Sequence, residues 1–117
     1  MKTSSCKAKG RRLQKIVAES VSTLLNIPCG KDELIQSREM GQSGVDVKLI
    51  GEALKRFPFS IECKNQEKWN IPAWIEQAKE NTKEGTDWLL FVTKNYYDPV
   101  VILDMNIFFK IVKQLEK

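Results

Sequence analysis

Two short segments of this chain alternate apolar and polar residues too regularly to be anything but half-buried strands. In Val45–Ile50, Val45, Val47 and Leu49 point one way, and Asp46 and Lys48 the other. In Phe57–Cys63, Phe57, Phe59, Ile61 and Cys63 share one face, with Ser60, Glu62 and Lys64 opposite. A period of two residues is the signature of a strand with one buried face. Pro58 has no N–H to give a ladder, so the second strand should begin near Phe59. Each strand carries an acid where core patterning does not call for one, so the fold must build a sheet around a charged spot.

The remaining segments supply the cover for that sheet. From about Arg11 to Leu25, Leu13, Ile16, Val17, Val21, Leu24 and Leu25 recur at helical spacing. Pro28 and Gly30 end the run. Asp32–Arg38 is a short candidate strand and Gly41–Gly44 a turn. Gly51–Arg56 reads as a loop or hairpin connection. Asn70 is a suitable N-cap for a helix running to about Thr82, with Trp74, Ile75 and Ala78 inward and Pro72 tolerated in the first turn. Trp88–Thr93 and Val100–Asp104 are apolar enough for buried strands, and Asn106–Leu115 is a last amphipathic helix. The order αβββαββα predicts an α/β (mixed α+β) chain, with a central mixed five-stranded sheet flanked by helices. At 117 residues this is one domain, 1–117, with 1–10 expected as a flexible basic arm.

Composition removes several chemistries. The chain has no histidine, which excludes Ser-His-Asp and Cys-His catalysis, His-ligated zinc and histidine general bases. Cys6, Cys29 and Cys63 form no CxxC pair, so reduced, passive thiols are expected rather than a disulfide framework or a zinc site. No apolar stretch approaches the roughly 20 residues of a membrane span. The polar start at Met1–Arg12 does not resemble a signal peptide, so a cytoplasmic location is expected. The net charge of +4 is unevenly spread. Six basic residues (Lys2, Lys7, Lys9, Arg11, Arg12, Lys15) precede the first acid, Glu19, and the remainder is slightly acidic. A basic start on a near-neutral body suits phosphate contact, or equally a solvated tail.

If the two alternating strands are neighbours, Asp46 lies beside Glu62 and Lys64. Two adjacent carboxylates repel unless a cation lies between them. A lysine compensates partly; a hard divalent ion with oxygen ligands compensates fully. Mg²⁺ in that position would polarise a phosphoryl oxygen and acidify a water, and Lys64 could orient or deprotonate that water or neutralise charge on the transition state. Such a set hydrolyses a phosphodiester without histidine. The same residues are equally compatible with plain cross-strand ion pairs on a solvated sheet face.

The segments Arg38–Val47, Phe59–Asn65 and Trp74–Lys79 together resemble the PD-(D/E)xK nuclease superfamily. The likeness is strongest to its small phage and archaeal Holliday junction resolvases, and Lys9-Gly10-Arg11 followed by Gln14 is similar too. The resemblance covers most of the chain and implies a restriction-endonuclease-like core. It implies Asp46, Glu62 and the backbone carbonyl of Cys63 as metal ligands, Lys64 as catalytic lysine, and Gln77 as support for the site or a phosphate contact. The family's first-helix acid falls on Gln14 here, so either Gln14 or Glu19, five residues on, would complete the metal site. Glu19 reads equally as an exposed helix residue.

The resulting expectation is a Mg²⁺-dependent endodeoxyribonuclease, with Mn²⁺ able to substitute. It would cut branched DNA, four-way junctions above all, as a homodimer, because two symmetric cuts need two equal sites. Lys7, Lys9, Arg11, Arg12, Arg38, Ser43, Asn65 and Lys68 are the candidate DNA contacts. Trp69 suits packing, stacking on a base or a dimer seal. A nicking or restriction-type endonuclease with the same site, or a catalytically silent DNA-binding protein on the same fold, are the alternatives.

Overall fold

A computed structural model describes residues 3–37 and 44–116 of the chain. The elements run α1 (Thr3–Leu25), β1 (Ile35–Ser37), β2 (Val47–Leu49), α2 (Gly51–Arg56), β3 (Phe59–Asn65), α3 (Ile71–Glu80), β4 (Asp87–Thr93), β5 (Val100–Leu103) and α4 (Met105–Leu115). The five strands form one mixed sheet in the order β1-β2-β3-β4-β5. β1–β2, β2–β3 and β4–β5 are antiparallel, and β3–β4 is parallel. A parallel pair needs a crossover, which α3 supplies. β3 is therefore the middle strand.

The sheet is covered on both faces. Leu13, Val17, Val21 and Leu25 of α1 pack with Ile35, Val47, Leu49, Ile61 and Cys63 on one side. Trp74 of α3 packs with Leu90 and Val92 on the other. Burying each of these large side chains contributes about 1.5–3 kcal/mol. The second face of β3 is thus not solvated, and Ser60 and Glu62, on its polar side, are buried under α3.

Three expectations are corrected. Gly51–Arg56 is helix α2, not a loop or hairpin. Ala53, Leu54, Lys55 and Arg56 are ordinary helix formers, Gly51 takes the left-handed φ of +56° at the turn into it, and Ala53 is buried. Residues 3–10, expected within an arm, belong to α1. The first strand begins at Ile35 rather than Asp32, and Arg38 lies outside the described residues. The N-cap is as expected: Asn70 Oδ1 accepts the Ala73 N–H at 3.4 Å. Asp104 caps α4, accepting from the N–H groups of Asn106 and Ile107, yet α4 buries none of its residues.

Candidate metal-dependent nuclease site

The site is built on β2 and β3. Val47 pairs with Ile61 in the antiparallel register, which sets Asp46 alongside Glu62. The Asp46 N–H donates to the Ile61 carbonyl at 2.8 Å. The side chain then turns inward, and Asp46 Oδ2 accepts the Cys63 N–H at 2.7 Å. Asp46 is 3% exposed and Glu62 2%. Two carboxylates this deep are costly unless they serve a cation or a dense set of donors.

Two donors near Glu62 come from β3 and from the end of α3. Asn81, at the end of α3, donates from Nδ2 to Glu62 Oε1 at 3.3 Å. Lys64 Nζ lies 3.9 Å from Glu62 Oε2, a loose ion pair. It also lies 6.0 Å from the centroid of the Trp74 ring. The lysine is thus steered by a carboxylate and an aromatic face, and its ammonium keeps capacity for a further oxygen. Burial, reinforced by the negative charges of Asp46 and Glu62, pushes the Cys63 thiol well above its ordinary range. It stays protonated and inert. Cys29 and Cys63 are free thiols.

A hard divalent ion fits this donor set. Asp46 and Glu62 present charged oxygens, and Mg²⁺ is commonly held by one or two carboxylates while waters and substrate phosphate supply the rest. Among the described residues no group of three or more His, Cys, Asp or Glu side chains comes together. Among the described residues, the charged oxygens at this spot are those of Asp46 and Glu62. Gln14 is a candidate for a further, neutral oxygen: it is 5% exposed, and its Oε1 has no hydrogen-bond partner among the described residues. Glu19, the other candidate, is exposed.

Other expected contacts fall differently. Lys7, Arg11, Arg12 and Lys68 are exposed, as phosphate contacts must be. Lys9 is not: it is 5% exposed, and its Nζ donates to Glu67 Oε2 at 2.9 Å. This is a correction, because Lys9 stands one helical turn before Leu13 and so turns inward. Asn65 donates from Nδ2 to the Lys9 carbonyl, which makes it a tie between β3 and α1. Gln77 is exposed; Asn81, one turn further along α3, is the residue that reaches Glu62. No motif marks Asn81 in the sequence, but a donor four residues after Gln77 shares its face. Arg38 and Ser43 lie outside the described residues. Trp69 packs: its Nε1 donates to the Gln66 and Thr93 carbonyls, and its ring meets Tyr97 edge-on.

The Lys9–Glu67 pair has a pH consequence. Glu67 Oε2 also accepts the Asn95 N–H at 2.8 Å. That backbone hydrogen bond first, then the one from Lys9, holds the Glu67 carboxyl below its ordinary value of 4.5. A depressed folded-state pKa adds stability above the unfolded value and loses it as pH falls through the folded one. The melting temperature of the wild type should therefore exceed that of Glu67→Gln at pH 7. The gap should close as pH drops below about 4.5. Glu67 is half-exposed, so the gap is modest and shrinks with salt. A gap that does not change with pH at all would show that the carboxylate charge plays no part.

No helix among the described residues is long and apolar enough to cross a membrane. A family model described as "Phage putative PDDEXK endonuclease" matches residues 5–117, nearly the whole chain. Neither the curated proteins nor the solved structures contain a match.

Proposed function

The chain belongs to the phage PDDEXK endonuclease family, and on that premise we propose that it is a divalent-metal-dependent endodeoxyribonuclease that resolves four-way DNA junctions as a homodimer. The observation that carries the reading is the pair of buried acids, Asp46 and Glu62, on adjacent strands beside Lys64. Asp46 and Glu62, with the Cys63 carbonyl, would hold Mg²⁺ or Mn²⁺; when bound, the ion supplies Lewis acidity to a phosphate oxygen and to the attacking water. Gln14 Oε1, a buried acceptor without a partner among the described residues, is the better candidate for a further ligand than the exposed Glu19.

The protein's own groups do the rest. Lys64 places its ammonium against the scissile phosphate and offsets the charge that grows there. Asn81 fixes the orientation of Glu62 by its hydrogen bond to Oε1. Gln77, exposed one turn away on the same face, would support the site or contact an adjacent phosphate. Lys7, Arg11, Arg12 and Lys68 bind backbone phosphates, with Arg38 and Ser43 of the segment before Asp46 assisting. Such contacts position a duplex without reading its sequence, so selectivity rests on DNA shape. The place of work is the cytoplasm of a phage-infected host.

The test is direct. With Mg²⁺, the purified chain should cut a synthetic four-way junction about tenfold or more faster than a linear duplex of the same sequence, a difference of ~1.4 kcal/mol in activation free energy. Equal rates would remove junction selectivity and favour a restriction or nicking enzyme. No cutting of any DNA with Mg²⁺ or Mn²⁺ would favour a silent DNA-binding protein.

A further inference from the structure

The turn between β4 and β5 holds an aromatic ring out in solvent at a backbone conformation that disfavours it. Tyr96 is fully exposed, and its φ is +58°. Left-handed backbone is strained for a bulky residue, and Asn or Gly would adopt it more readily. The strain is held from several sides. The Asn95 N–H donates to Glu67, which Lys9 of α1 in turn clamps. Thr93 Oγ1 donates to the Tyr97 carbonyl at 2.6 Å. Trp69 braces Tyr97 edge-on at 5.2 Å. Lys94 sits over both rings, 5.5 Å from Trp69 and 5.2 Å from Tyr97. Tyr97, Trp69 and Lys94 satisfy one another, and Tyr96 is the ring left over.

Its position matters as much as its exposure. β3 and β4 are parallel, and Lys64 lies beside Val92. Tyr96 is four residues past Val92, at the strand end that carries Lys64. At ~3.3 Å per residue that is at most ~13 Å along the chain. With the ~4.8 Å between neighbouring strands, the Tyr96 Cα lies at most ~18 Å from that of Lys64, a span of about five base steps at ~3.4 Å each.

We propose that Tyr96 is a nucleobase-stacking residue, an aromatic platform on a braced turn that receives an unpaired base next to the cleavage point. The inference rests on the endonuclease reading and deepens it: the substrate feature sensed is an unstacked base at a branch or bulge. Every base has a π-face, so the contact tolerates any sequence. A paired, stacked duplex offers no such face, so the ring separates branched from linear DNA. Lys94, beside the same turn, supplies a cation for the flanking phosphate.

The experiment compares fluorescence anisotropy of two labelled duplexes in EDTA, where cutting does not interfere. They are identical except for one central unpaired base. The wild-type chain should bind the bulged duplex more tightly than the perfect one. Tyr96→Ala should lose about tenfold on the bulged duplex and less than about twofold on the perfect one. Tyr96→Trp should retain the preference. Tyr96→Asn, which suits the left-handed backbone, should lose the preference with a melting temperature at or above that of the wild type; loss through misfolding would instead lower it. A wild type without preference overturns the inference, as does Tyr96→Ala binding the bulge as well as wild type, or losing equally on both. If the unchanged chain binds neither duplex, the endonuclease reading falls as well.

Discussion

Asp46→Asn and Glu62→Gln should each lower DNA cleavage by ~10³-fold or more while DNA binding stays within a few-fold of wild type. The amides keep the shape and remove the charge that a divalent ion needs. Folding should survive in both. An asparagine at 46 can still offer its amide oxygen to the Cys63 N–H that Asp46 Oδ2 now accepts at 2.7 Å. Asp46→Ala cannot, and leaving that buried N–H unmet costs about 1–3 kcal/mol. The Ala variant should therefore melt below the Asn variant, although both are inactive. The rates are measured under single-turnover conditions with Mg²⁺ on a junction substrate. Either amide variant cutting at the wild-type rate would show that the reacting centre lies elsewhere.

The second large effect is on assembly. α4 carries Met105, Phe108, Phe109, Val112 and Leu115 at helical spacing, all exposed. The adjoining edge strand β5 adds exposed Val100 and Val101. A helix with no buried residue and an edge strand beside it together leave a run of apolar side chains open to solvent. A second copy is the occupant that suits a two-fold symmetric junction, because an isologous contact sets two equal sites at a fixed distance. Light scattering should give the mass of two chains at micromolar concentration. Phe109→Glu should weaken the pair by about thirtyfold, the ~2 kcal/mol scale of an aromatic anchor. The melting temperature of the separated chain should barely move, since Phe109 is 60% exposed already. Junctions should then be nicked on one strand rather than cut on two. A monomer mass for the unchanged chain at tens of micromolar would end the dimer reading.

Much of this geometry was legible in the residues. The two period-two strands exposed the Asp46–Glu62–Lys64 neighbourhood, because antiparallel neighbours of that phase can set the two acids side by side. α3 was legible through Asn70, Pro72 and the Trp74–Ala78 spacing. Other parts were hidden for physical reasons. α2 has one buried residue, so its periodicity is too short to announce a helix. Lys9 stands in a run of basic residues that suggests a solvated arm, and only the helical register back from Leu13 turns it inward. Glu62 is buried because α3 covers a face that alternation alone assigns to solvent. Asn81 takes part through the length of α3, which carries it to β3, and only its place four residues after Gln77 hints at that.

The hydrogen bond from the Cys63 N–H to Asp46 has one more consequence. β2 is three residues long, and Val47–Ile61 is its register pair with β3. The Asp46 carboxylate is thus itself a rung between the two strands. Opening of that edge and dismantling of the proposed site are the same local event, with one free energy. A molecule in which the Cys63 amide is slow to exchange its hydrogen therefore has its acid in place, so the backbone keeps a record of the site that can be read without any substrate.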